Sequence, residues 1–180
     1  MKKNSILFFV LTHLLFCAST ISVNNGQSQV RLIEENESSL RFNIEIGDLI
    51  SNEIQNRRGD LFTILSLPNY HSSKDIGSPE LPEIHQLIEN PHSATTRIKI
   101  NTIDEVEYSL DDLNLNTIYP VQAPVSKSQD LASIPFDYNT LAYNSDNFQN
   151  DEYISVIDKG LLRQVRIGNL IVKPINYNPV

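Results

Sequence analysis

The sequence predicts an all-β fold, an antiparallel β-sandwich of jelly-roll type. Three observations carry that expectation. Short runs of alternating apolar and polar residues recur, turn signals separate them every ten or so residues, and helical periodicity is nearly absent. The chain has no internal repeat and no coiled-coil heptad.

The amino terminus reads as a leader. Lys2 and Lys3 precede an apolar run from Ile6 to Phe16, and Cys17-Ala18-Ser19-Thr20 supplies small residues for a signal peptidase. That run is too short to cross a bilayer, so residues 1–19 are expected to be a cleaved secretory signal and not a transmembrane anchor. A buried helix and a lipid-bearing Cys17 are the alternatives; Phe16 stands where a lipoprotein signal wants a small residue. Residues 20–29 look like a flexible leader and residues 30–180 like one domain, long enough for a single core without staples.

Leu40 to Ile46 alternates cleanly and predicts a half-buried strand, with Val30-Arg31-Leu32 as its partner across a turn at Glu34 to Ser39. Asp48 to Gln55 is expected as a short helix. Arg57-Arg58-Gly59-Asp60 reads as a solvated turn into the apolar strand Leu61 to Leu67, which Pro68-Asn69 stops. Tyr70 to Pro91 is proline-rich and predicts a loop entering an edge strand. Thr95 to Ile103 and Glu105 to Leu110 predict two neighbouring strands. Tyr119-Pro120-Val121-Gln122-Ala123-Pro124 is a stiff extended arm, because two prolines remove donors and hold φ, and it leads into a polar bulge carrying Lys127. The carboxy-terminal part predicts three strands: Glu152 to Ile157, Leu161 to Ile167 and Leu170 to Lys173, turned at Asp158-Lys159-Gly160 and at Gly168-Asn169.

The chemistry in the residues is sparse. Cys17 is the only cysteine, so secretion leaves no thiol for a disulfide, a metal site or a nucleophile. His71, His85 and His92 lack metal-ligand spacing, and the acids Asp104, Glu105, Glu107, Asp111 and Asp112 lack the glycine and alternating oxygens of a calcium loop. No cofactor, no metal and no catalytic group is expected. The net charge is −8, and −10 once Lys2 and Lys3 are removed, which opposes nucleic-acid binding and suits solubility or a basic partner. Tyr138, Tyr143 and Phe148 among amides leave open a carbohydrate-binding or adhesin-like sandwich.

Four segments in order, Gly77-Ser78-Pro79-Glu80-Leu81-Pro82, then Tyr119 through Lys127, then Arg163-Gln164-Val165-Arg166, and finally Pro174-Ile175-Asn176-Tyr177-Asn178-Pro179, resemble the propeptide of the gingipain family of secreted cysteine endopeptidases. The resemblance implies a β-sandwich prodomain, non-catalytic by itself, that assists folding of its peptidase and blocks the active site. Its partner would be a gingipain-like cysteine peptidase domain, in cis within a longer precursor or otherwise in trans. It would reside in the periplasm, at the outer-membrane surface or outside the cell. The resemblance also implies an inhibitory loop comprising Tyr119, Pro120, Gln122, Pro124 and Lys127, with Lys127 offered to an acidic specificity pocket. Gly77, Pro79, Leu81, Pro82, Arg163, Tyr177, Asn178 and Pro179 would be structural. The family runs on into a further strand, so this chain is expected to lack the last one; it is a fragment, a truncated product or a free prodomain. Peptidase activity by inheritance would need the missing catalytic half.

Overall fold

A computed structural model describes residues 18–24, 26–92, 95–130, 133–149 and 152–180; the leader up to Cys17 lies outside them. Nine strands and one helical turn follow in order: β1 (Ser19–Ile21), β2 (Gln29–Asn36), β3 (Ser39–Glu45), β4 (Leu49–Gln55), β5 (Leu61–Ser66), β6 (His71–Ser72), β7 (Pro82–Asn90), α1 (Thr140–Tyr143), β8 (Ile154–Leu162) and β9 (Val165–Val172). They make an antiparallel three-stranded sheet β1-β4-β5, a four-stranded sheet β6-β7-β9-β8 and a separate ribbon β2-β3. The all-β expectation holds.

The two larger sheets share one core. Ile21, Leu49, Leu65 and Leu67 come from one side and Leu81, Ile84, Leu170 and Val172 from the other, with Ile118 and Tyr177 between them. Ile84 and Ile118 are fully enclosed, which places the middle of the long connection between β7 and β8 inside the sandwich. The alternation read in Leu40 to Ile46 appears in β3, where Leu40, Phe42 and Ile44 are the half-buried positions. β2 pairs with it through a two-residue turn, Asn36 opposite Ser39, and the Asn36 carboxamide oxygen accepts the Ser38 N–H at 3.0 Å.

Several expectations are corrected. Asp48 to Gln55 is no helix: Leu49–Gln55 is the central strand of its sheet, paired on one side with β1 and on the other with β5. Its sequence has a weak helical preference, with β-branched Ile50 and Ile54 and a serine and asparagine between, so pairing on both edges decides the outcome. The leader 20–29 is structured at its start, because burying Ile21 draws Ser19–Ile21 into β1. β7 is internal, lying between β6 and β9. Pro82 is tolerated as its first residue, where a ladder donor is least needed.

At the carboxy end there are two long strands where three were expected. Asp158-Lys159-Gly160 is a bulge within β8, marked by a register shift between Asp158 and Gly160 and by φ of +88° at Gly160. Gly168-Asn169 is mid-strand in β9. Gly168 faces Ile88 of β7, and a Cβ there would come within 2.5 Å of the Asn90 side chain, so glycine serves close packing and not a turn. The actual hairpin turn is Arg163-Gln164, both with positive φ (49° and 72°). Thr95 to Ile103 and Glu105 to Leu110 form no strand among the described residues; the reason emerges from their surroundings below.

Candidate functional site

The proline arm is threaded into the molecule before it becomes a loop. Thr63 of β5 donates its N–H to Thr117 O (2.9 Å) and accepts from Tyr119 N–H (2.8 Å), a short parallel pairing opposite Ile118. On the other side Glu80 N–H reaches Tyr119 O (2.8 Å) and Val121 N–H reaches Ser78 O (2.9 Å). Between those two bonds Pro79 lies opposite Pro120. That is a non-hydrogen-bonded position of an antiparallel pair, so neither imide is asked for a donor it lacks. Pro120 is among the most completely buried side chains.

Gly77 closes the strip. Its N–H donates to Val121 O (2.8 Å), its carbonyl accepts from Asn139 N–H (2.9 Å), and its φ is +81°. A Cβ at this position would stand 3.0 Å from the Asn139 nitrogen. Leu81 and Pro82 then enter the core as β7 begins.

In this parallel bridge Thr63 turns its N–H and C=O toward the arm, while Ile118 turns its own away from β5. At Ile118 both groups would otherwise be orphans in a dry interior. Two tyrosines satisfy them. The Tyr143 hydroxyl donates to Ile118 O at 2.6 Å, and the Tyr177 oxygen takes a hydrogen bond from the Ile118 backbone. Both phenols are buried. Burial, reinforced by the Tyr177, Tyr138 and Glu80 charges, pushes the Tyr143 hydroxyl far above the usual phenol range. Burial raises Tyr177 as well, against the opposing pull of the Ile118 hydrogen bond. Tyr119 is raised by partial burial and by Glu80, with Arg57 acting in the opposite sense.

Aromatic rings continue this support outward. Phe62 of β5 meets Tyr119 edge-on at 5.7 Å, and Phe136 packs on both, at 5.6 and 5.8 Å. Tyr138 stacks on Tyr143 at 4.3 Å and 13°. Asn139 caps α1, its side-chain oxygen accepting from Leu141 and Ala142 N–H. The stack covers one face of Tyr138 and hides Tyr143, which removes Tyr143 from any sugar-binding platform while Tyr138 stays 43% exposed.

Residues 123–130 and 133–136 emerge from this base as the two arms of a loop with a closed neck. The Gln122 carboxamide donates to Pro120 O and Asp137 O, both at 2.9 Å, and accepts from Asp137 N–H at 3.1 Å. The Asp137 carboxylate accepts Ala123 N–H at 2.9 Å. A compact surface loop whose ends are tied is a presenting geometry. At its tip Gln129 N–H returns to Ser126 O (3.0 Å), and Lys127 lies within that turn, exposed, with no ion-pair partner among the described residues. Pro124 and Val125 are also exposed.

The structure therefore brings together Gly77, Pro79, Tyr119, Pro120 and Gln122, with Tyr177 behind them and Lys127 projecting beyond. Arg163 stands apart at the tip of the β8–β9 hairpin; Asn178 binds Asp146 at 3.0 Å, and Pro179 lines a different cleft. Asp137, Asn139 and Phe136 were missed as loop supports, though Phe-Asp-Tyr-Asn directly after Pro135 is a compact signal for an anchored loop end. His85 is held between Glu83 and Asn169 at 3.0 Å each, with the His71 ring 5.1 Å away. Among the described residues no cluster of histidine and carboxylate side chains is arranged for a metal ion.

Residues 22–180 match the family model Propeptide_C25. The chain belongs to this propeptide family. Lys-gingipain HG66 of Porphyromonas gingivalis is 34% identical over 123 residues, which cover 68% of this chain and 7% of that relative. Gingipain R2 of the same organism is 25% identical over 155 residues, 84% of this chain and 20% of the relative. This propeptide thus spans a small part of the length of the peptidases it matches. A solved structure concerning the zymogenic latency of gingipain K from P. gingivalis superposes with a TM-score of 0.81 at 26% identity, covering 91% of this chain and 89% of that one. A chain from the complex of the P. gingivalis RgpB pro- and mature domains shares the fold, with a TM-score of 0.66 at 21% identity over 84% and 76% of the two chains. No helix among the described residues is long and apolar enough to cross a membrane.

Proposed function

We propose that this propeptide is the inhibitory and chaperoning prodomain of a gingipain-like cysteine peptidase, without catalytic activity of its own. The observation that carries the reading is the loop between Gln122 and Asp137: Lys127, a cation without an ion-pair partner among the described residues, rides on a turn whose neck is clamped by Gln122 and Asp137 and whose root is buried. Such an element can enter a cleft with little further loss of conformational freedom, the main cost that weakens flexible peptides as inhibitors. Lys127 is the residue assigned to an acidic specificity pocket, with Tyr119, Pro120, Gln122 and Pro124 holding its approach. Gly77, Pro79, Leu81, Pro82 and Tyr177 are the scaffold beneath. Residues 1–19 are assigned as a secretory signal, which leaves Thr20 and Ile21 of β1 at the start of the mature chain.

The test is a titration of the chain against Arg- and Lys-selective gingipain-type peptidases, comparing the parent with Lys127→Ala and Lys127→Arg. A cation seated in a buried pocket is an interface hot spot of about 2 kcal/mol or more, so Lys127→Ala should weaken inhibition roughly 30-fold or more. Lys127→Arg should retain most of it only if the pocket is Arg-selective. Equal inhibition by parent and Lys127→Ala would remove Lys127 from the mechanism.

A further inference from the structure

Thr95 to Tyr108 is built like strand and is paired with no strand among the described residues. Ile98 and Ile100, then Val106 and Tyr108, occupy alternate positions, yet all are 41 to 66% exposed. Among the described residues no backbone N–H or carbonyl of this segment takes part in a backbone hydrogen bond, and its one side-chain bond is Tyr153 Oη–H to Glu105 (2.6 Å). The ribbon β2–β3 lines the same space; among the described residues it has no third strand, and Leu32 and Ile33 are half exposed. An isolated two-stranded ribbon is marginal in water, and unpaired edges of this kind are templates for another chain.

Between them an open space runs from β2–β3 past Thr95 to Tyr108 to the residues around Tyr177, with the core residues Leu65, Leu81 and Leu170 on its floor. Nine carboxylates line it, from Glu34, Glu35 and Glu37 to Asp104, Glu105 and Glu107, against four cations, Arg41, Arg97, Lys99 and Lys173.

We propose that this cleft receives one extended β-strand from a partner polypeptide, with apolar side chains at every second position and lysine or arginine between them. Main-chain hydrogen bonds to Thr95 to Tyr108 or to the ribbon edge supply affinity, the half-exposed isoleucines supply pockets for alternate side chains, and the carboxylates select the basic partner. The overall negative charge of the chain opposes a second copy as occupant. This inference is independent of Lys127.

Amide hydrogen exchange of the full chain tests it. The probe is a 12-residue peptide alternating Ile or Val with Lys or Thr, and the control carries proline at two of the alternate positions. In the chain alone, residues 95–108 should exchange at nearly unprotected rates. The probe should slow them at least tenfold, saturably and less in high salt, while the proline control should not. Ile100→Pro, in an exposed segment, should abolish the protection and leave the exchange of β4 and β7 unchanged. Three results would overturn the proposal: protection of 95–108 in the dilute chain alone, no protection by the probe, or protection that rises with chain concentration without the probe, which would make the occupant a second copy.

Discussion

Removing the Tyr143 hydroxyl tests the central claim about how the arm is held. Tyr143→Phe keeps the ring and its stack on Tyr138 but leaves the buried Ile118 carbonyl without the 2.6 Å donor it now has. An acceptor stranded in a dry interior costs about 1–3 kcal/mol. With a urea m-value of about 2 kcal/mol/M for a domain of this size, the unfolding midpoint should fall by roughly 0.5–1.5 M. A second signature separates this hydrogen bond from generic loosening. The Tyr143 phenol is held neutral in the fold well above its ordinary value, whereas in the unfolded chain it ionises near pH 10. Its contribution is therefore complete below pH 10 and is lost as pH rises beyond it, at up to about 1.4 kcal/mol per pH unit. The gap between parent and Tyr143→Phe should therefore narrow by about 1.4 kcal/mol between pH 7 and pH 11. Urea melts at pH 7 and pH 11 measure both effects. A variant with the parental midpoint at pH 7, or a difference that stays constant with pH, would refute the account.

Three further outcomes follow from the same scaffold. Gln122→Ala opens the neck of the loop while leaving its root in place, so inhibition of a cognate peptidase should weaken about 5- to 30-fold, as expected when about 1–2 kcal/mol of preorganisation is lost, with little change in thermal midpoint. Gly77→Ala forces a Cβ into the left-handed region 3.0 Å from Asn139 N, and should destabilise by about 1–2 kcal/mol in denaturant melts. Arg163→Asn with Gln164→Gly supplies the residues that a two-residue turn with positive φ prefers; the double variant should be more stable than the parent by about 1 kcal/mol, and a lower midpoint would show that the arginine makes a contact worth more than the strain.

The fold class was legible because alternation is a local signal, and β3, β5 and the start of β8 lie where it placed them. What failed was information that only the partner strand holds. β4 lacks strong strand character and is made a strand by two neighbours at once. Gly168 looks like a turn residue until Asn90 is seen pressing against it. Thr95 to Tyr108 shows the converse, a strand-like local pattern with no partner strand among the described residues to realise it. For the loop, prolines 120 and 124 marked the extended arm, but Gln122 to Asp137 and Ile118 to Tyr143 and Tyr177 join residues far apart in sequence, and nothing local announces such pairs.

The double grip on Ile118 also imposes an order in time. Its carbonyl is claimed by a residue in the first helical turn after the loop, but its other tyrosine lies close to the last residue of the chain. During synthesis at about 5–20 residues per second, some 60 residues must follow Ile118 before Tyr177 exists, a delay of roughly 3–12 s. Until then the root of the arm has one anchor, and contacts of such long sequence separation are slow to form. The loop therefore becomes rigid only after Tyr177 has been made, so a nascent chain cannot present Lys127 in its final geometry ahead of the strands that support it.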